Sequence, residues 1–568
     1  MKCIKNLSYS LLLLLGLGLC IIACKKDTPE DIPIPQPAKP TITSIDPATA
    51  PVGSTIAVNG TNFSTDPAST TITIGGVPAT IVSVTGTQII VTVPAGVSNG
   101  PISVTTGGQT VQSPTPFTVY VAPLKPIAEK QGTYFRNQVW TSDSIYVLRG
   151  MVYIPENYSL TIMPGTVIKG AGPDRDPNGT NYAGALVIER RGQLIAKGTA
   201  ARPIIFTSIK PAGQRNYGDW GGVVLIGRSP VNRPRETLYP NGIRSNVEAY
   251  GEPFDNSGAL QYVRIEYAGA VQPTTPTTRL SGLTIIGVGA NTVIDHVQVS
   301  YSGSHGFSWF GGSANVKNIF AYRSFNDDWT TDWGYVGNVQ FGVSLRDVEI
   351  ADQSGSNGFD VENYTTTETT DVASVTLING LPQAAPIFTN ISNFAFSGTP
   401  TTNNSAKGTG PYRAAIYLRR NSAINIYNSL FYGYPEGLRV ESTGATSGLA
   451  SGTIDLKGIV LANVLTPVVG GGVLTNDQVT TYFSAAGRSN QLIASSDLAS
   501  LLLNAGNFTL TAPNFLPQAG SPLLTGAVTG GKLANSFFTP VTYRGAFGTD
   551  NWLAGWSNLN PQTTDYDR

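Results

Sequence analysis

Five short segments of the sequence place acidic, basic and aromatic residues at matching positions. Side chains of a β-strand alternate between its two faces, so an inward apolar residue in each segment sends the next residue outward. The segments are 306–310, 329–333, 358–362, 416–419 and 437–441. The predicted outward positions form two columns, Ser308, Thr330, Asp360, Tyr417 and Arg439 in the first and Phe310, Asp332, Glu362, Arg419 and Glu441 in the second.

Asp332, Asp360 and Glu362 are the candidate catalytic residues of these columns. Neighbouring strands lie about 4.8 Å apart, so adjacent turns would bring the carboxylates of Asp332 and Glu362 together or let them share a cation. Paired carboxylates about 5 to 9 Å apart are the arrangement that glycoside hydrolysis needs. Asp327 and Asp328 lie just before the strand of Asp332 and are expected to add to the cluster. The register predicts that the three candidate acids are exposed, because a slip by one residue would bury them.

The same columns fit other roles. The candidate ligand-binding residues are Phe310, Asp332, Asp360, Glu362, Tyr417, Arg419 and Arg439. Phe310 and Tyr417 would supply stacking surface for sugar rings. A polysaccharide lyase commonly uses Lys or Arg as base, and Arg419 beside Glu362 would fit that chemistry. An ordinary solvated face, on which the acids only pair with Arg419 and Arg439, is equally open, since cross-strand charge pairs stabilise sheets modestly.

A second candidate site has the spacing of a calcium loop. Asp174, Asp176 and Asn178, followed by Gly179, match the D-x-D-x-N-G pattern with which such loops begin. An EF-hand needs a bidentate Glu at the twelfth position, where this sequence has Ala185. The sequence therefore favours a surface turn, and calcium is the one cofactor that it suggests.

Composition excludes several functional classes. The chain has 36 basic and 36 acidic residues, which offers no electrostatic basis for binding nucleic acid. Its cysteines all lie within the first 24 residues, so none remains downstream for a disulfide, a zinc cluster or a thiol nucleophile. His296 and His305 lack a zinc spacing, and we expect them to serve packing or turns.

The N-terminal residues predict export. Lys2 and Lys5 precede an apolar run that is too short to span a bilayer comfortably, which is typical of a signal peptide over residues 1–23. The run ends in Ala23-Cys24 and resembles the lipobox of bacterial lipoproteins, which implies that Cys24 carries lipid. An ordinary signal peptide with an incidental cysteine is the alternative. The lysines and acids that follow Cys24 resemble the surface-export signal of Bacteroidetes lipoproteins, which implies a lipid-anchored protein on the outer face of the outer membrane.

Residues 24–39 are rich in proline and predict a semi-rigid linker. Residues 40–120 then alternate in short strands with turn pairs such as Asn59-Gly60 and Asn99-Gly100, a pattern typical of a small sandwich. This unit resembles the IPT/TIG immunoglobulin-like family over its whole length, with matching stretches at 40–47, 51–54, 58–63, 75–76 and 93–94. This resemblance implies a spacer or interaction module.

Residues 131–568 carry short apolar strands with glycine corners, and the segments 263–269 and 297–303 repeat one pattern. Repeats of about 20 to 35 residues made of short strands predict a right-handed parallel β-helix, here with a C-terminal extension. A β-propeller is the main alternative, but its blades need about 40 to 50 residues. The segments that resemble β-helix lipoproteins of Bacteroidetes are 218–222, 309–312 and 543–547.

The sequence as a whole predicts an all-β protein, a small immunoglobulin-like β-sandwich followed by a right-handed parallel β-helix. The favoured functional hypothesis is a surface lipoprotein that binds a polysaccharide or another extracellular polymer along the β-helix, because no unambiguous catalytic constellation occurs. A β-helix glycoside hydrolase or polysaccharide lyase is the second hypothesis. A structural scaffold or adhesin is the third.

Overall fold

The chain forms two compact units, one ending at Pro123 and the other beginning at Leu124 in the computed structural model. The residues that the structure describes are 38–232, 244, 251–271, 273, 279–348, 350–363, 383–396, 410–441, 443–471 and 473–568.

The first unit is a β-sandwich, as predicted. Its strands are β1 (Thr41–Asp46), β2 (Thr49–Ala50), β3 (Thr55–Thr61), β4 (Thr70–Ile74), β5 (Val77–Pro78), β6 (Thr80–Val84), β7 (Gln88–Thr92), β8 (Ile102–Thr106), β9 (Gln109–Gln112) and β10 (Thr118–Val119). One antiparallel sheet has the order β1-β3-β7-β6 and the other the order β5-β4-β8-β9, while β2 and β10 form a short parallel pair. Alternate residues such as Ile56 and Val58 are buried between the sheets, which accounts for the period of two in the sequence.

The second unit is a parallel β-helix, as predicted. Its strands are β11 (Ile127–Thr133), β12 (Gln138–Trp140), β13 (Ile145–Ile154), β14 (Ser159–Ile162), β15 (Val167–Gly170), β16 (Ala185–Ile188), β17 (Gln193–Lys197), β18 (Ile204–Ser208), β19 (Gly222–Ile226), β20 (Gly258–Glu266), β21 (Leu283–Ile286), β22 (Val293–Ser300), β23 (Phe307–Phe310), β24 (Asn315–Tyr322), β25 (Trp329–Asp332), β26 (Asn338–Leu345), β27 (Phe359–Val361), β28 (Ile387–Phe394), β29 (Ala414–Leu418), β30 (Asn425–Tyr427), β31 (Leu430–Tyr432), β32 (Glu436–Val440), β33 (Asp455–Lys457), β34 (Val460–Ala462), β35 (Thr466–Gly470) and β36 (Gln491–Ile493). Short helices α1 (Thr443–Ser451) and α2 (Asn476–Phe483) interrupt the last turns.

These strands stack in parallel into three sheets along the solenoid. Sheet 1 contains β12, β14, β17, the first halves of β20, β22, β24, β26 and β28, and then β30 and β33. Sheet 2 contains β15, β18, the second halves of the same long strands, and then β31, β34 and β36. Sheet 3 contains β16, β19, β21, β23, β25, β27, β29, β32 and β35. The first halves of β11 and β13 belong to sheet 2 and their second halves to sheet 3.

The corner between sheets 1 and 2 is a column of residues in the left-handed conformation. The strand registers place these residues one above another along the solenoid. They are Tyr262, His296, Asn318, Phe341, Asn390 and Asn428, with φ between 48° and 63°. Glycine adopts this conformation routinely, and asparagine, aspartate and histidine do so more often than other residues, so Tyr262 and Phe341 are the unusual members of the column.

The C-terminal tail, residues 495–568, runs back along sheets 1 and 2 and is held by side-chain amides. Gln340 donates to the Thr539 carbonyl at 2.8 Å and accepts from the Thr539 amide at 2.8 Å. Gln298 makes the same pair of bonds with Asn558, and Asn428 with Val528. Each amide thus pairs with the tail as a neighbouring strand would. The tail itself forms short 3₁₀ turns at Ser495–Leu501, Ala505–Phe508, Pro522–Leu524 and Gly531–Ala534.

Candidate functional site

Most residues of the predicted columns line a groove on sheet 3, which we call the sheet 3 groove; Ser308, Arg439 and Glu441 lie outside its lining. Its cavity volume is about 320 Å³. The strand pairing confirms the predicted register, since Phe310 pairs with Asp332 and Asp360 with Tyr417. The predicted residues that line the groove are Phe310, Thr330, Asp332, Asp360, Glu362, Tyr417 and Arg419. Arg439 pairs with Tyr417 on the next turn but is outside this lining.

The prediction that the three acids are exposed is wrong. Asp332, Asp360 and Glu362 are only 8%, 7% and 9% exposed, although their side chains point outward from the solenoid. The physical reason is that side chains from neighbouring turns cover them. The guanidinium of Arg419 donates hydrogen bonds to both carboxylate oxygens of Asp360, from Nε at 3.1 Å and from Nη2 at 3.0 Å. The pairing with Arg419 that the interpretation as a solvated face predicted is present at Asp360 and Glu362, but the face is not solvated.

Glu362 has the most perturbed acidity of the groove. It contacts Arg419 and lies 2.7 Å from Nη1 of Arg420. Burial raises its pKa to about 8, and the charges of Asp360 and Asp332 add to this effect against the two arginines. Glu362 therefore carries its proton over much of the neutral range, which would let it donate a hydrogen bond or act as a general acid.

Tyr417 does not offer a stacking face for sugars. It is 5% exposed, and its hydroxyl is bonded to Glu441. The guanidinium groups of Arg413, Arg419 and Arg439 lie 5.7, 5.0 and 5.7 Å from its ring centre. The face that was expected to bind a ligand is therefore used to hold arginines in place.

Phe310 is half-buried and packs on Trp333, with ring centres 4.4 Å apart. It thus closes one end of the polar lining with an aromatic wall. Arg439 is bound to Glu436 at 2.9 Å and to Glu441 at 3.2 Å, so its charge is neutralised beside the groove.

A set of three polar residues joins the groove, and of these the sequence analysis expected only Asp327, which does line the cavity. His305 Nδ1 lies 2.9 Å from Asp327 Oδ2, and the backbone and side-chain amides of Asn357 donate to Asp327 Oδ1 at 2.7 and 2.9 Å. All three residues line the groove. Burial lowers the pKa of His305, but the hydrogen bond and charge of Asp327 outweigh it and raise that pKa above its usual value. Among the described residues, Nε2 of His305 has no partner and is available to a ligand.

The repeats do carry a signal for this set. Phe307 pairs with Trp329, and Trp329 with Phe359. Two residues earlier on each strand, the same register aligns His305, Asp327 and Asn357. The signal is therefore a polar column two residues before the aromatic column, and it lies outside the segments whose positions predicted the groove.

Asp328 does not join the groove, contrary to the expectation that it adds to the acidic cluster. It forms a fully buried ion pair with Arg346 at 2.8 Å and accepts from the Tyr434 hydroxyl at 3.3 Å. Burial raises its pKa to about 6 in spite of the arginine. Asp328 thus belongs to the buried interior next to β25 and not to the groove lining.

Arg413 is the cation of the groove that is left for a ligand. It lines the cavity and approaches the ring of Tyr417. Within the described ranges it has no acidic partner, whereas Arg419 and Arg420 are both committed to acids.

The calcium-loop residues form a turn. The carboxylate of Asp176 accepts from the amides of Asn178 and Tyr182 at 3.0 and 3.1 Å and from the Thr180 hydroxyl. Asp174 belongs to the 3₁₀ turn Pro173–Arg175. In the part of the chain that the structure describes, no three acidic, histidine or cysteine side chains cluster as a metal site would need.

The fold and the groove define a two-part β-protein, a sandwich followed by a parallel β-helix with a polar cleft. More particularly, the chain belongs to the family of pectate-lyase-like β-helix domains, which it matches over residues 132–497. Residues 40–119 match the IPT/TIG domain. No functionally curated protein matches the chain.

Three solved structures from Bacteroides share short similar stretches. One is described as a putative phosphatase of Bacteroides thetaiotaomicron, 25% identical over 15% of this chain and 18% of that chain, with a TM-score of 0.14. Two are described as auxiliary nutrient binding proteins, from Bacteroides thetaiotaomicron (22% identity, 15% and 21% of the chains, TM-score 0.14) and Bacteroides ovatus (19%, 16% and 24%, TM-score 0.15). The matched part spans about a fifth of the length of these proteins.

Two further predictions concern the membrane. Cys24, the predicted lipid attachment site, lies outside the described residues. In the described ranges no helix combines the length and the apolar character needed to cross a bilayer.

Proposed function

We propose that this protein binds an extracellular carbohydrate polymer in the sheet 3 groove. The observation that carries the proposal is that four successive turns of the solenoid contribute hydrogen-bonding side chains to one open cavity of about 320 Å³. Arg413 and Nε2 of His305 supply donors without a protein partner among the described residues. Polar groups placed at strand spacing along a solenoid suit an extended ligand rich in hydroxyl groups.

The ion pairs of the groove support binding over catalysis. Asp360 is held by Arg419, Glu362 by Arg419 and Arg420, and Asp327 by His305. Acids that are fixed by hydrogen bonds form a rigid lining, and a preorganised lining reduces the entropic cost of binding.

Calorimetric titration of the purified protein with a polysaccharide panel tests this proposal. We expect Arg413→Ala to weaken binding about 10- to 100-fold, because a hydrogen bond to a charged group contributes about 1.5 to 3 kcal/mol. Arg149→Ala, which removes a cation from an exposed pair with Glu129, is the matched control. Failure of every polysaccharide to bind, or equal affinity of Arg413→Ala and wild type, would refute the proposal.

A glycoside hydrolase is the second candidate, favoured by the raised pKa of Glu362 beside Asp332. Glu362 would protonate the leaving oxygen, and Asp332 would act as base or nucleophile. Product release is measured in the same titrations by assaying new reducing ends. We expect Glu362→Gln to abolish release but keep affinity; if the wild type releases no product, only the binding proposal stands.

The proposed location is the outer membrane, with lipid on Cys24, the IPT/TIG domain as a spacer and the β-helix exposed on the cell surface. The lipobox-like Ala23-Cys24 pair supports the anchor. Cys24→Ser should move the protein from the membrane fraction to the soluble fraction. Protease treatment of whole cells should degrade the wild-type β-helix if it faces outward, and full protection would contradict surface exposure.

A further inference from the structure

A second concave site lies between the corner of sheets 1 and 2 and the C-terminal tail. We call it the tail pocket and define it by Asn318 and Phe341 from the corner and Tyr543, Asp550 and Trp552 from the tail. Its volume is about 410 Å³, within the range of small-molecule sites. It is separate from the sheet 3 groove and shares no lining residue with it.

Aromatic side chains from both segments form the walls of the tail pocket. The rings of Phe341 and Tyr543 pack on each other, with centres 6.3 Å apart and an interplanar angle of 30°. The Trp552 side chain is fixed by two contacts within the tail: its indole nitrogen donates to the Ala546 carbonyl at 2.9 Å, and its ring stacks on Phe547. The walls are therefore rigid aromatic surfaces.

Polar groups of the tail pocket are left for a ligand. Among the described residues, the Asn318 amide, the Tyr543 hydroxyl and the Asp550 carboxylate have no hydrogen-bond partner. Asn318 differs in this respect from the other asparagines of the corner column. Asn390 and Asn428 occupy the equivalent corner positions, and their side chains bind the tail at Tyr543 and Val528. Asn318 instead lines the pocket.

Phe341 occupies a corner position that disfavours it. Its φ is 63°, in the left-handed region that bulky side chains rarely adopt. Asparagine stands at the positions directly before and after it in the column, Asn318 and Asn390. Strained residues tend to mark functional sites, and here the strained residue supplies an aromatic wall.

We propose that the tail pocket binds a neutral pyranose unit of a glycan. Aromatic walls suit the apolar face of a sugar ring, and the amide, hydroxyl and carboxylate suit its hydroxyl groups. The charged residue in the described lining is Asp550, an acid, which disfavours sulfated or uronic sugars. The site is thus a second carbohydrate contact, independent of the groove.

Titrations of the full protein with cellobiose, lactose and mannobiose test the proposal, with digalacturonate as the anionic comparison. Phe341 is only 9% exposed, so removing its ring also removes packing, and Trp552→Ala on the tail side of the pocket is therefore used as a second variant. The central variant is Phe341→Asn, which removes the aromatic wall and relieves the corner. We expect it to weaken binding of the neutral sugar about tenfold or more. Tyr262→Asn changes the same kind of corner residue outside the pocket and is the matched control.

Testing the variant of each site with the ligand of the other site distinguishes the groove from the pocket. Arg413→Ala should leave neutral disaccharide binding intact, and Phe341→Asn should leave groove binding of a polysaccharide largely intact. The tail pocket proposal is overturned if no neutral disaccharide binds, if Phe341→Asn binds as well as wild type, or if digalacturonate binds the pocket equally well. None of these results would affect the groove.

Discussion

Asp327 Oδ2 lies 2.9 Å from Nδ1 of His305 on the adjacent turn of sheet 3. Two turns of the solenoid thus share one ion pair inside the groove, and Asn357 on a third turn donates two hydrogen bonds to the other carboxylate oxygen of Asp327. Each turn contributes one member of the set, so the set depends on correct stacking of three turns.

We expect the pKa of His305 to lie above 6.5 and to fall below 6.5 in Asp327→Asn, because burial remains while the negative charge is removed. A raised pKa in the folded state means that the protonated ring stabilises the protein fully below pH about 6.5, and that this stability is lost as the pH rises through the folded pKa. Imidazole NMR titration measures the pKa directly. The chain has only two histidines, so His296→Asn assigns the signals. An unchanged pKa in Asp327→Asn would contradict the prediction.

Glu362→Gln should flatten the pH dependence of stability. The folded-state pKa of about 8 exceeds the ordinary 4.5, so the protonated form stabilises the protein below pH about 4.5 and this contribution is lost as the pH rises through 8. We expect wild type to lose on the order of a few kcal/mol across this window relative to the variant. The free energy of unfolding in urea is measured at a series of pH values for both proteins. Parallel plots of this free energy against pH would refute the prediction.

Arg419→Ala should destabilise the β-helix by about 3 to 5 kcal/mol, because it leaves the buried carboxylate of Asp360 without its cation. Arg149→Ala should change stability by only about 0 to 1 kcal/mol, since its pair with Glu129 is exposed. Free energies of unfolding in urea compare the two variants. Equal effects would mean that the groove acids are as well solvated as surface acids.

Gln340→Ala should loosen the tail around Thr539. It removes both hydrogen bonds of the amide clamp and leaves the Thr539 backbone without its partner. Hydrogen exchange should therefore become faster at Thr539 and its neighbours, with little change in the sandwich unit. Gln193→Ala is a control, because Gln193 bonds a loop carbonyl, that of Asn256, and not the tail. Unchanged protection at Thr539 would show that other contacts hold this part of the tail.

The fold class and the register of sheet 3 could be predicted from sequence, because both follow from local periodicity. Side chains alternate along a strand with a period of two, so the repeats alone are enough to align Phe307, Trp329 and Phe359. The stacked turns then place Asp332, Asp360 and Glu362 in one groove. The Asn-Gly turn pairs of residues 40–120 and the repeats of residues 131–568 likewise distinguished the sandwich from the solenoid in the sequence.

Only the tertiary structure decided what surrounds those residues. The burial of Asp360 depends on Arg419, 59 residues away, and the clamp of Gln340 depends on Thr539, 199 residues away. Such contacts form when distant turns and the tail stack, and no local pattern encodes how closely they approach. Pattern shows which face a side chain points to, whereas the solvation of that face is set by side chains from other turns.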